Sequence, residues 1–367
     1  MIRRKGLAVF ALLAFMPASS VPQDKKPLVD PVKLTFPLVE IGSLDIDGHI
    51  VGQPRARDGI IYFAAREGYL TAVVAQSRAV LWRFKTDHAV SSSPELAGET
   101  ALLRDDGGVL YVVGPPGKAI LKKRLDAVVT TAIRIIEGGA LLGTAAGEVL
   151  ALDLDGNQVW EYRPSAPDAK ITAGPVPVYD REGWGDHILF GRSDGRLMAV
   201  SGKGKPTWEF QAGGAIEADP VQAGARIYFG DSDRMFYCLD AGTGKVKWRR
   251  RLQGAPLYPA VIRGGSIAVA ASNSVVYRLA RRGGSILSWE AIPSRMVYEL
   301  GAAGSLVLVS SASPIITALD LRTGKRAGQV EAPDPLVAGA VWSSPYVVLF
   351  VEDEDSGRQR MVFLRSR

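Results

Sequence analysis

The residues that could do chemistry in this chain are few and scattered. The segment Asp153-Leu154-Asp155-Gly156-Asn157 has the acidic spacing that opens a calcium loop. An EF-hand loop needs Gly at its sixth position and a bidentate Glu at its twelfth, where this chain carries Gln158 and Pro164. The segment therefore reads as a hairpin turn. Glu352-Asp353-Glu354-Asp355-Ser356-Gly357 reads as a solvated acidic turn. His49, His88 and His187 are the only histidines, and none has a neighbour at metal-ligand spacing. There is no G-x-S-x-G elbow for a nucleophilic serine, and no Gly-rich loop leading into a helix to cradle phosphate. The single cysteine, Cys238, makes no internal disulfide and sits in an apolar strand pattern, as a small buried hydrophobe does. No catalytic, cofactor-binding or metal-ligating residue is predicted.

What the sequence shows instead is repetition. Ile227 to Gly230 is a short β-rich run, followed by the turn residues Asp231-Ser232-Asp233. Met235 to Asp240 is a second run, and Ala241-Gly242-Thr243-Gly244 a second turn. Lys245 to Trp248 starts a third strand, and Leu257 to Ile262 a fourth, entered through Pro256. Short apolar runs separated by Gly/Asp/Ser turns are the mark of an antiparallel four-stranded meander. The opening strand recurs near Ile60, Ala101, Ala140, His187, Arg226, Ile267, Leu306 and Tyr346, a period of about 40 residues typical of propeller blades. Trp82, Trp160, Trp208, Trp248 and Trp289 mark the third strand, with Leu121 and Gly328 at the same place in two degenerate repeats.

The ends fit a closed ring. The last repeat supplies two strands, Tyr346 to Val351 and Arg360 to Leu364. Two unmatched strands precede the first repeat, Leu34 to Ile41 and Gly48 to Ala56. The first can complete the last blade and the second can begin the first, which pairs edges otherwise left open. The expectation is an all-β fold: one propeller over residues 34–367, of eight four-stranded blades, or of seven if one degenerate repeat is misread, closed by the N-terminal strand on the C-terminal blade.

Residues 1–20 read as a cleaved export signal: Arg3, Arg4 and Lys5, an apolar stretch from Leu7 to Met16, then Pro17-Ala18-Ser19-Ser20. The apolar stretch is too short to cross a bilayer, which takes roughly twenty residues in a helix. Residues 21–33 read as a flexible N-terminal segment. Removing the signal takes away three basic residues and no acidic one, so the net charge falls from +6 to +3. Nucleic-acid binding calls for a concentrated basic stripe; the densest run, Arg249-Arg250-Arg251, reads as a solvated strand end. The expected location is periplasmic or secreted, with no lipidation cysteine near the cleavage site, no transmembrane segment in the mature chain, and a monomer.

Tyr237 to Trp248, with Asp240, Thr243 and Gly244, resembles the PQQ-like propeller repeat, A-x-D-x-x-T-G-x-x-x-W. Related copies carry Asp153, Gly156 and Trp160, and Asp320, Thr323 and Gly324. The resemblance implies that the Asp and Thr-Gly shape the hairpin and that the Trp packs between blades. It also implies two branches of function. Quinoprotein dehydrogenases of the family bind pyrroloquinoline quinone and calcium, with a vicinal cysteine pair that a chain with one cysteine cannot have. The other branch, the BamB family of outer-membrane assembly factors, is non-enzymatic and similar in length. The expected function is thus a protein-binding scaffold of the cell envelope that meets barrel-assembly components and carries no cofactor. The alternatives are a divergent quinoprotein-like oxidoreductase and a sensory propeller with a small ligand in its channel. For partner contact the sequence offers Trp184 and Tyr179, in an inserted Gly-flanked loop where an aromatic can anchor an interface.

Overall fold

The computed structural model describes residues 34–367 except 137, 154, 166–168, 180–184 and 297. The expected signal segment, the stretch 21–33 and Trp184 lie outside the described residues. No α-helix occurs among the described residues, and none there is long and apolar enough to cross a membrane. The strands form eight antiparallel four-stranded sheets. Each is one blade, with strands lettered A to D from the channel outward.

The burial patterns explain why the blades are so visible in sequence. The B and C strands of a blade are covered on both faces by its neighbours, so they read as unbroken apolar runs. Ile60–Ala65 and Leu306–Val309 are examples. The D strands cover only one face and alternate, as in Val246–Arg251 and Arg326–Glu331. The core is divided into clusters shared between adjacent blades, as where Ile227 and Phe229 of blade 5 meet Leu197 and Ala199 of blade 4.

The ring closes as expected. Leu38–Asp45 pairs antiparallel with Gln359–Ser366, from Leu38 opposite Ser366 to Asp45 opposite Arg360, and forms strand D of blade 8. Ile50–Arg57 is strand A of blade 1. The closing strand starts later than the sequence reading had it, after Pro37, which has no N–H to give to a ladder.

The blade is phased one strand away from the repeat read in sequence. The strands taken as openers are strands B, and the expected fourth strand is strand A of the following blade. In blade 6, strand A is only Val261–Arg263, preceded by a single bridge from Pro256 to Ala271. Strands of three residues are too short to show a period, and proline removes a donor just before this one.

Candidate functional site

The repeat signature builds a joint between blades. In blade 5 the Thr243 hydroxyl donates to the Asp240 carboxylate at 3.0 Å, and Gly244 N donates to Asp240 O at 2.9 Å. Gly244 has φ +67°, so the turn requires a residue without a Cβ penalty. It lies flat on the indole of Trp208 in blade 4, whose Nε1 donates to Ala241 O at 3.2 Å. Gly284 sits on Trp248 in the same way, with Trp248 Nε1 donating to Arg281 O at 3.2 Å. Gly204 meets Trp160, Gly117 meets Trp82, and Gly156 meets Leu121, which stands where those blades carry Trp. Asp153 accepts from Asp155 N and Asn157 N, which makes that segment a turn. Asp320 accepts from Arg322 N at 2.7 Å, and Gly324 N donates to Asp320 O at 2.7 Å.

Trp289 breaks this pattern. The residue in register is Ser288, which stands opposite Arg278 as Trp248 stands opposite Cys238. Trp289 pairs with Tyr277 instead and is 64% exposed. Arg278 takes over the indole's hydrogen bond, its Nε donating to Leu321 O at 2.7 Å, while Gly324 lies against Ser288 and Arg278. At Gly328, the other degenerate position, the space is filled by Phe36, which arrives from the closing segment. An aromatic ring missing from blade 7 is thus supplied by the chain end.

The site that sequence reasoning missed lies in the channel. Arg55 and Glu95 are on strands A of blades 1 and 2, and Arg134 is on strand A of blade 3, Arg134–Ile136. Asp219 and Glu299 lie just before strands A of blades 5 and 7. Arg55 reaches Glu95 at 3.4 Å and Glu299 at 3.0 Å. Arg134 reaches Glu95 at 3.0 Å and also pairs with Asp219, which accepts from Gly174 N at 2.6 Å. The chain of charges therefore skips blades 4 and 8 and crosses the ring. Burial works against the charge on Arg134, and the carboxylates of Asp219 and Glu95 more than reverse it, raising its pKa. A signal was present in the sequence, since Arg55, Glu95 and Arg134 follow one another at 40 and 39 residues with alternating sign. Beside the network a cavity of about 260 Å³ is lined by Leu257, Tyr258, Ser272, Arg295 and Met296.

These residues do not fit a calcium-bound quinone. Calcium takes six to eight oxygen ligands. Here each channel carboxylate (Glu95, Asp219 and Glu299) is already held by an arginine. Among the described residues no group of three or more His, Cys, Asp or Glu could hold a metal ion. Cys238 is buried, and desolvation pushes its thiol up, away from the reactive thiolate. His49 pairs with Glu67, His88 with Asp105, and His187 lies 3.1 Å from the Thr207 hydroxyl. Tyr179 ends strand A of blade 4 and is 45% exposed, and its backbone exchanges hydrogen bonds with the Gln222 amide.

A family model described as outer membrane protein assembly factor BamB matches residues 66–209 and 202–260. An outer membrane protein assembly factor BamB of Burkholderia pseudomallei (strain K96243) is 23% identical over 260 residues, covering 65% of this chain and 67% of that protein. The quinohemoprotein alcohol dehydrogenase ADH IIB of Pseudomonas putida is 28% identical over 127 residues, 30% of this chain and 18% of that enzyme. Among solved structures, BamB from Moraxella catarrhalis superposes with a TM-score of 0.72 at 16% identity, over 89% of this chain and 99% of that one.

Proposed function

The chain belongs to the PQQ-like β-propeller family whose model is described as outer membrane protein assembly factor BamB, and from that premise we propose a non-enzymatic, protein-binding scaffold of the cell envelope that works in outer-membrane protein assembly. The observation that carries this reading is the family match, which runs from the B–C turn of the first blade to the link before strand A of the sixth. The arginine-held channel carboxylates support it, because they leave the ring's centre occupied by structural ion pairs. A rigid ring with turns and loops on both faces suits recognition by surface rather than by pocket.

A quinoprotein-like oxidoreductase is the second reading, favoured by the segment similar to the alcohol dehydrogenase. The two separate in one assay. Purified chain incubated with pyrroloquinoline quinone and calcium should show no dye-linked oxidation of alcohols or sugars and should retain no visible chromophore after desalting. Turnover with a retained, stoichiometric chromophore would establish the enzyme instead.

A further inference from the structure

In a four-stranded antiparallel blade the A–B and C–D turns lie at one end, and the B–C turns lie at the other with the links between blades. The ring therefore has a hairpin face and a linking face, and they differ in charge. Glu67, Asp106, Asp194 and Asp233 occupy the B–C turns of blades 1, 2, 4 and 5, and Asp353 and Asp355 that of blade 8. On the hairpin face of blades 5 to 7 the C–D turns carry Lys245, Arg282, Arg322 and Lys325, all exposed.

Little on that arc neutralises them. Asp240 and Asp320, at the ends of strands C, are engaged by Lys247 at 3.0 Å and Arg322 at 3.5 Å. Among the described residues Lys245, Arg282 and Lys325 have no carboxylate partner. Further guanidiniums on this face are held by carbonyls rather than by acids. Arg281 donates to Gly264 O and Ala223 O, Arg226 to Arg281 O and Arg282 O, and Arg263 to Gly304 O. These contacts fasten the turns of adjacent blades together and leave the positive charge uncompensated.

A second feature sits at the same end of the ring. Exposed aliphatic residues begin strand D directly after the C–D turn: Val246 in blade 5, then Ile286 and Leu287 in blade 6. Val80, Ile120 and Val159 hold the matching places in blades 1 to 3. Within the basic arc they fall in blades 5 and 6, one in the first and two in the second. A protein partner draws most of its binding energy from a compact cluster of anchors. Separate aliphatics beside basic turns suit instead a flat anionic surface, where charge attracts and small apolar groups enter the boundary between headgroups and acyl chains.

We propose that the hairpin face of blades 5 to 7 docks on an anionic phospholipid surface. This inference stands on the charge distribution and the exposed aliphatics beside it, and does not depend on which protein the ring binds. In a flotation assay the full chain should rise with vesicles of phosphatidylglycerol and phosphatidylethanolamine, but not with phosphatidylcholine alone, and binding should fall steeply with added salt. Each basic residue near such a surface strengthens partitioning about five-fold, so the exposed-turn variant Lys245→Glu/Arg282→Glu/Lys325→Glu should lose on the order of a hundredfold. Arg66→Glu/Arg358→Glu, on the linking face, should bind as the parent does. Circular dichroism establishes that each variant is folded, and the parent's salt dependence tests the proposal without any variant. Equal flotation with both vesicle types, salt-insensitive flotation, or an unaffected triple variant would overturn it. Retention on immobilised polyglutamate without vesicle binding would overturn it too, in favour of an acidic protein partner.

Discussion

Gly244 lies so close to the indole of Trp208 that a Cβ built on the glycine would stand 2.5 Å from the ring's Cε3. One blade's tightest turn is thus the lid on the preceding blade's largest side chain, and the indole Nε1 donates into that same turn at Ala241 O. The joint recurs around the ring, so the stability of each blade depends on its neighbour.

Adding one methyl group at this joint should therefore be costly. Gly244→Ala combines a positive φ, about 1 kcal/mol, with a clash against a packed ring, about 1–3 kcal/mol more. Gly264→Ala is the matched control, since Gly264 has φ +54° but nothing within 4 Å of the added Cβ. Urea midpoints should fall markedly for the first substitution and slightly for the second. Equal losses would show that the Trp208 contact contributes nothing.

The closing segment makes a sign-changing prediction. Phe36→Ala empties the space over Gly328 and should lower the thermal midpoint by the equivalent of about 3 kcal/mol. Gly328→Leu should destabilise the parent, where it collides with Phe36, and stabilise the Phe36→Ala variant. A double-mutant cycle measures the coupling. Additive effects would mean that Phe36 does not fill this position.

Trp248 and Trp289 should behave as different kinds of residue. Trp248→Ala removes a ring packed under Gly284 and should cost about 3 kcal/mol, whereas Trp289→Ala, at 64% exposure, should cost less than about 0.5 kcal/mol. Thermal unfolding of the two variants decides it. A loss for Trp289→Ala matching that of Trp248→Ala would place Trp289 back in the joint.

The pair Asp105 and Tyr111 predicts how stability follows pH. Burial acts to raise the Asp105 carboxyl, and hydrogen bonds from Val109 N, His88 and the Tyr111 hydroxyl outweigh it, so its pKa lies below the ordinary 3.8. Its contribution is complete above 3.8 and is lost as pH falls through the depressed folded value. Burial and the Asp105 carboxylate push the Tyr111 phenol up to about 12. That contribution is complete below 10 and lost as pH rises through about 12. Chemical denaturation across pH should show Asp105→Asn less stable than the parent at neutrality, with the gap closing below pH 3.8. A gap independent of pH would contradict the assignment.

The blades were legible because sandwiched strands such as Ile60–Ala65 must be apolar on both faces and turns such as that at Gly244 must admit positive φ. Their phase was not, because strands A such as Glu95–Ala97 are short and face a polar channel. The slip at Trp289 was not legible because a Trp stands one residue from the register position, and Ser288 gives no signal of its own. The channel network escaped for a topological reason. Arg55 and Glu299 are 244 residues apart, and only ring closure brings them to 3.0 Å. Trp184 lies outside the described residues, and Tyr179 is placed at the hairpin end of blade 4.

The proposed role of this propeller is that of a scaffold for outer-membrane protein assembly. Affinity capture of the tagged full chain from cross-linked native envelope, with mass spectrometry of what is bound, tests it most directly. A scaffold of this kind should give reproducible recovery of an outer-membrane barrel or of components that insert such barrels. A chain that recovers none of these, and instead purifies with a stoichiometric redox chromophore, would contradict it.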